Sequence, residues 1–535
     1  MTSPIAWGSV FPVNSTVKSF QYDSKIYALK DGSFVAVWTD ASQTGADTSY
    51  AAIRGQLFNA DGSKKGAEFL INTTTLNYQD YPEVTVLNDG HFVVAWESTG
   101  GYVRARAFQA NGTAIGNDFQ VNSTESDYHI GITALSNGGF AVSYQHLDTQ
   151  IRVQAFDANL QKSGTEAAIA DNDYFTEVVG LQGQYMAFYS IDGKIHGVLR
   201  NNDGSLPTGS VPMAISATGD SNSPPQAAKL ADGRIIVMWT SQTDAPTGPD
   251  LYQIKGQILN ANGTKSGGEL LLSAPDLTSS KAAAVTALAD GGFAVGYLDM
   301  AEGRNSADIH ISAFNGSGAR VGADTILGRP YMSYANGLDI TALADGRLAV
   351  TWNTTVSEWD DFASSVQGQI VDLRQKGVSL MGTVADDHYY GSKFNDTLKG
   401  DAGDDLLFGR EGKDTLTGGA GSDAFVFDTA PKVGRAKHID RITDFNGRSD
   451  KIYLDDVVFK GLSRKVGSLD APVKIDRKAF WKGNAAHDRN DRIIVKSSGD
   501  ILYDADGSGR GKAVVIAKID KNAVRHVDAS DFLLI

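Results

Sequence analysis

Residues 29–38 read LKDGSFVAVW, and near copies recur along the chain. They are LNDGHFVVAW from Leu87, LSNGGFAVSY from Leu135, LADGRIIVMW from Leu230, LADGGFAVGY from Leu288 and LADGRLAVTW from Leu343. A degenerate copy, LQGQYMAFY, starts at Leu181 and makes seven. Apart from that copy, each has an Asp-Gly or Asn-Gly pair and then an alternating apolar strand that ends in Trp or Tyr. A tight turn between apolar runs predicts a β-hairpin.

A second hairpin usually follows. Its first strand reads IRGQLFN from Ile53, VRARAFQ from Val103, IRVQAFD from Ile151, IKGQILN from Ile254 and VQGQIVD from Val366. Its second resembles EFLINT from Glu68 or DFQVNS from Asp118. Four short antiparallel strands at a period of about 45–58 residues have the size of a propeller blade. The seventh unit stops after its third strand, near Arg374, and the chain opens with an orphan fourth strand, SVFPVNST from Ser9. The expected fold is all-β: residues 1–374 form a seven-bladed β-propeller closed by the N-terminal strand, which removes exposed edges. Its rival is a pair of β-sandwiches built from the same hairpins.

Further on, the period shortens to nine. Gly382–Val426 reads GTVADDHYY, GSKFNDTLK, GDAGDDLLF, GREGKDTLT and GGAGSDAFV. Position one is Gly, position six Asp, and position eight apolar or aromatic. Six residues of turn and three of strand make half a coil, so successive units wind into a parallel β-roll, expected over 375–430. Leu398, Leu407, Leu416 and Phe425 then point inward. Asp396 stacks with Asp414 on one edge, and Asp405 with Asp423 on the other. Stacked carboxylates repel unless a cation lies between them. Calcium suits the site, because it takes six to eight oxygens, backbone carbonyls included. The candidate metal residues are Asp387, Asp396, Asp405, Asp414 and Asp423. Asp401 and the turn glycines Gly391, Gly400, Gly403, Gly409, Gly412, Gly418 and Gly421 belong to the same sites, which imply several calcium ions. A solvated Gly/Asp linker is the alternative, but it needs no apolar residue at a fixed phase.

The chain of 535 residues has no cysteine, which excludes disulfide staples and thiolate metal sites. The start MTSPIAWGSVFPVNST lacks the basic-then-apolar pattern of a signal peptide, and no apolar run reaches membrane-span length. Residues 1–374 hold 38 acidic and 22 basic side chains, a balance of -16. Residues 375–535 hold 25 and 26. The acidic part repels nucleic acid and anionic lipid.

One propeller rim carries the long loops Thr39–Ser49, Thr240–Asp250, Leu298–Ala307 and Asn353–Ser364, with Trp359 among them. Variable loops on a rigid scaffold carry function. The crossovers on that rim hold recurring pairs: Tyr22-Asp23, Asp80-Tyr81, Asp127-Tyr128 and Asp173-Tyr174. Two readings stand. Tyr stacks on a sugar face while Asp accepts its hydroxyls, or Tyr packs between blades while Asp caps strand ends. Trp38, Trp96, Tyr144, Trp239, Tyr297 and Trp352 are expected to pack between blades.

Residues 382–535 resemble the C-terminal region of RTX proteins, including serralysin-type proteases and rhizobial secreted calcium-binding proteins. The likeness rests on the nonapeptides, on Ile439–Phe445, on Asp450-Lys451-Ile452 and on the terminal Asp531-Phe532. It implies that 431–535 cap the roll and carry a type I secretion signal. It also implies that Asp440 and Asp444 join a last calcium site. Phe394 and Asp401 stand where the pattern has glycine, so those coils are expected to bind less well. Asp504–Gly509 resembles the start of a calcium loop but lacks the closing Glu, and an ordinary turn explains it equally.

The protease is not implied, because H-E-x-x-H is absent, as is G-x-S-x-G. The S-x-D-x-G-x-T-W box of propeller sialidases is not matched either. The expected protein is therefore extracellular, monomeric and exported by a type I apparatus without an N-terminal signal. Its propeller binds a glycan or cell-surface polysaccharide in an adhesion or matrix role. The alternative is an extracellular polysaccharide hydrolase or lyase with its site on the loop rim.

Overall fold

A computed structural model describes the chain except residues 1–4, 17, 124–125, 147–149, 172–175, 218–223, 244–249, 276, 278, 301–305, 329–336, 359–360, 385, 432–438 and 470. Two compact units result, Met1–Leu373 and Arg374–Ile535. Among the described residues no helix is long and apolar enough to cross a membrane.

The first unit is a seven-bladed propeller: its strands form seven separate four-stranded antiparallel sheets. The inner strands are Gln21–Ala28, Gln79–Val86, Ser126–Ala134, Thr176–Gly180, Gln226–Lys229, Ser280–Ala287 and Asp339–Ala342. Each packs against the next and the last returns to the first. The Asp-Gly turns need glycine, since Gly32 and Gly90 have φ of 81° and 90°. The second strand of a blade is covered on both faces, so Phe34–Asp40 is buried throughout. Trp38 and Trp96, at the ends of such strands, are fully buried. Their indole N–H groups donate to Gln21 at 3.0 Å and Gln79 at 2.8 Å, which fixes the inner strands.

The N-terminal strand Ile5–Pro12 pairs antiparallel with Asp361–Asp372 as the outer strand of the seventh blade. Two glycines make its seat. A Cβ on Gly62 would lie 2.4 Å from the Phe11 ring, and one on Gly368 would lie 2.6 Å from it. The buried Arg347 guanidinium sits 4.2 Å over the Trp7 ring and donates to Asp345.

The stretch Asn353–Ser364 corrects the expectation of a long loop. It continues a hairpin, in which Leu348–Glu358 pairs with Asp361–Asp372 as far as Glu358 opposite Asp361. The β-branched Thr354, Thr355 and Val356 favour this extended form. Trp359 lies outside the described residues. In three later blades the outer strand shrinks to Met213–Ala214, Leu270–Leu271 and Thr325–Ile326.

The second unit is a parallel β-roll with a β-rich cap. One sheet stacks Ser379–Met381, Thr397–Ala402, Thr415–Ala420 and Asp440–Ile442. The other stacks His388–Tyr390, Leu406–Phe408, Ala424–Phe427 and Lys451–Leu454. Leu398 lies beside Leu416 and Leu407 beside Phe425, a step of 18 residues per coil. Leu398, Leu407, Leu416 and Phe425 are fully buried between the sheets. The tail strand Phe532–Leu534 joins the second sheet, parallel to Lys451–Leu454 and antiparallel to Val473–Lys474.

Candidate calcium sites and propeller rim

The position-six carboxylates form two columns. On one edge the Asp396 amide donates to Asp414 Oδ1 at 2.8 Å, and the Asp414 amide to Asp440 Oδ1 at 2.9 Å. On the other, the Asp387 amide donates to Asp405 Oδ1 at 2.8 Å, and the Asp405 amide to Asp423 Oδ1 at 3.2 Å. The Asp423 amide then reaches Asp450 Oδ1 at 3.4 Å. All seven side chains are buried.

The columns are not uniform. Ser392 donates its amide and hydroxyl to Asp396, and Thr383 does the same for Asp387. Further along, Asp405, Asp414 and Asp423 each keep one buried oxygen, Oδ2, without a hydrogen-bond partner. Glycine leaves room around those oxygens. A Cβ on Gly400 would lie 1.9 Å from Asp405 Oδ2 and 2.5 Å from the Gly418 carbonyl oxygen. One on Gly418 would lie 2.2 Å from Asp423 Oδ2, and one on Gly409 would lie 3.0 Å from both Asp414 Oδ2 and Asp440 Oδ2. Gly412 and Gly421 have positive φ and lie against the preceding coil; Cβ atoms there would fall 2.1 Å from Phe394 O and 1.9 Å from Gly403 O.

Burial, followed by the neighbouring carboxylates, pushes Asp405 and Asp423 up to about 6. Burial and the facing Asp440 push Asp414 up strongly, and burial raises Asp440 as well. Buried, like-charged and partly unsatisfied oxygens beside backbone carbonyls fit a hard cation. Among the described residues no three His, Cys, Asp or Glu converge as a ligand set. A cation here therefore takes carboxylates singly or in pairs, together with carbonyls.

The other candidate residues are placed differently. Asp401 is exposed, and its carbonyl is what a Cβ on Gly419 would strike at 2.1 Å. Gly391 borders Asp396, with 2.8 Å between its built Cβ and Oδ2. Asp444 accepts from the Gly418 and Gly419 amides at 3.0 and 2.9 Å. Arg374 donates to the Tyr390 and Gly391 carbonyls at 2.6 and 2.8 Å, at the start of the roll. Asp450 escaped the sequence reading, because residues 427–449 interrupt the nonapeptide period. Its Asp-Lys-Ile triplet, equivalent to Asp423-Ala424-Phe425, was the available signal.

Residues 385–425 match the RTX calcium-binding nonapeptide repeat, in 4 copies. The chain carries RTX repeats. No curated protein matches the chain. Among solved structures the chain is similar to a protein of unknown function from Dyadobacter fermentans, with 13% identity, TM-score 0.41, and 68% of this chain and 99% of that one covered. It is similar to a Penicillium chrysogenum α-L-arabinanase solved with arabinobiose, with 14% identity, TM-score 0.37, and 56% and 94% covered. It is also similar to an ulvan lyase bound to -[GlcA(1-4)Rha3S]-, with 11% identity, TM-score 0.43, and 68% and 95% covered. None of these scores reaches 0.5, and none carries a function to this chain.

On the propeller rim the first two pairs come together. The Tyr22 hydroxyl donates to Asp80 Oδ1 at 2.8 Å, from one inner strand to the next. Bulges follow at once, between Tyr22 and Lys25 and between Asp80 and Glu83. They hold Asp23 and Tyr81 at φ of 50° and 55°, left-handed backbone that is costly for such residues. Burial pushes Asp23 up to about 6 and raises Asp80, while Tyr22 is raised by burial and by the Asp80 charge. The side chains of Asp127 and Tyr128, and all of Asp173 and Tyr174, lie outside the described residues.

Deeper in the channel is a charged group that the sequence reading missed. Lys25 lies 2.6 Å from Glu83. Glu177 is pushed up to about 8 by burial and by the Glu83 charge, and Asp339 to about 6 by burial. These four residues come from four blades, so no local motif marks them.

Proposed function

We propose that this is an exported protein whose roll is stabilised by calcium and whose propeller binds an extracellular glycan through its rim. The observation that carries the glycan reading is the Tyr22–Asp80 hydrogen bond across two blades, flanked by the left-handed bulges at Asp23 and Tyr81. Bulges of this kind re-aim side chains next to binding sites. Here they set aromatic rings beside carboxylates, a pairing that meets both the apolar face and the hydroxyl edge of a sugar.

Export through a type I apparatus fits the roll. Where calcium is scarce its carboxylates weaken the roll, which leaves the chain easier to thread. Outside the cell, metal binding becomes folding free energy. Asp405, Asp414 and Asp423, with their neighbouring carbonyls, are assigned as the main ligands.

The test is a glycan array probed with the full chain in calcium, repeated with Tyr22→Phe and Asp80→Ala. The expected result is a bound glycan family lost on Asp80→Ala. Variants that bind as the wild type does would remove the rim from the reading. Appearance of new reducing ends would make the site catalytic.

A further inference from the structure

Among the described residues of the propeller, every exposed aromatic side chain belongs to residues 20–81. They are Phe20, Tyr27, Tyr50, Tyr78 and Tyr81, at 40, 40, 52, 50 and 45% exposure. Tyr27 lines the channel, on the side of its strand opposite the buried Ile26. The other four stand on the rim that carries Tyr22 and Asp80.

Tyr50 and Tyr78 face each other with ring centroids 4.8 Å apart and planes tilted by 31°. They come from separate loops that are tied together. The Asn77 amide donates to Ser49 Oγ at 2.9 Å, the Gln79 amide to the Ala51 carbonyl at 3.1 Å, and the Tyr78 amide to Thr99 Oγ1 at 2.7 Å. Tyr50 and Asn77 have φ of 34° and 60°. A left-handed φ is costly for Tyr50 and persists only where the surroundings impose it, and here the surroundings hold two exposed rings together.

The platform adjoins the acceptors. Gln79 is buried beneath Trp96, so Tyr78 and Asp80 on either side of it project the opposite way. Two residues of extended chain span about 7 Å, so the two side chains stand near each other on the rim. Asp80 already holds the Tyr22 hydroxyl, and both it and Asp23 sit where burial favours hydrogen bonding over free charge. The -16 balance of residues 1–374 opposes any polyanion.

We infer that Tyr50 and Tyr78 form a stacking platform for a chain of uncharged sugars, with Asp80 accepting hydroxyl hydrogen bonds beside it. This rests on the glycan reading above and adds the place and the class of ligand. The test is calorimetric titration of the full chain, in calcium, with neutral gluco-, xylo-, manno- and arabino-hexasaccharides, a chitosan hexamer and polygalacturonate. A neutral hexasaccharide is expected to bind. Tyr50→Ala and Tyr78→Ala are each expected to weaken it about tenfold with unchanged melting, and Tyr78→Phe to retain it. Neutral binding that both alanine variants leave intact overturns the platform and spares the glycan reading. Preferential binding of chitosan or polygalacturonate overturns the uncharged class. Absence of binding to every saccharide defeats the glycan reading and the platform together.

Discussion

Replacing Asp405 by Asn should stabilise the roll without calcium and weaken it with calcium. Asp405 is 1% exposed, one oxygen accepts the Asp387 amide, and the other has no partner. Burial and then neighbouring charge raise its pKa from 3.8 to about 6. A carboxyl raised in this way takes up a proton on folding. Without metal, its contribution is fully present below the unfolded value and is lost as pH rises through about 6. At neutral pH a shift of that size amounts to about 3 kcal/mol of penalty, which solvent screening at the roll's edge reduces to about 1–2 kcal/mol.

Asparagine keeps the acceptor for the Asp387 amide and removes the charge. In chelator at pH 7.5 the variant's roll should therefore melt about 2–8 °C higher, given roughly 2–4 °C per kcal/mol for a unit of this size. In calcium the order should invert. A cation at a hundredfold its dissociation constant adds about 2.7 kcal/mol, and the variant loses most of that at its site. Scanning calorimetry of the full chain, with chelator and with about 100 mM calcium (about a hundredfold or more above the expected extracellular-type affinity), reads both signs. Wild type in chelator should also gain stability as pH falls from 7.5 to 5, and the variant should gain less. A variant that melts lower under both conditions would refute the reasoning, because Asp405 would then be an ordinary hydrogen-bonding residue.

Gly412→Ala should cost the roll about 3 kcal/mol or more, since its built Cβ lies 2.1 Å from a backbone carbonyl at φ of 139°, whereas Gly268→Ala in the propeller, with nothing within 4 Å, should leave the propeller's melting unchanged. Deleting residues 1–15 should lower the melting of the propeller sharply by removing the strand that seats Phe11; an unchanged transition would mean that the ring holds without it. Lys25→Met should destabilise the propeller by about 2 kcal/mol at pH 8.5 and by less at pH 5.5. Protonation of Glu177 and Asp339, at about 8 and about 6, removes the unpaired charge as pH falls, and melting curves at the two pH values would test this.

The fold was legible because its units are local. An Asp-Gly pair and the strand after it are contiguous, so LKDGSFVAVW carries its own turn, buried strand and closing Trp. The nonapeptides likewise place Asp and the inward Leu at fixed phase. Features assembled from distant segments were not legible. Asp450 completes a carboxylate column beyond an insertion that breaks the period. Tyr50 meets Tyr78 through loops of two adjoining blades. Lys25, Glu83, Glu177 and Asp339 meet only because the ring closes. The loop expected at Asn353–Ser364 failed for another reason: polar β-branched residues look like a loop by polarity, but they extend a hairpin whose partner is already in register.

Phe532–Leu534 has a neighbour on each side in its sheet, and residues 531–534 are at most 9% exposed. Any machinery that recognises those side chains can meet them only in a chain that has not yet folded. On the proposed export reading, recognition and folding compete for the same few residues, and a signal in the tail would be erased once the roll is complete. A chain that folds too early would silence its own address, and the rate at which calcium reaches the roll would set how long that address stays readable.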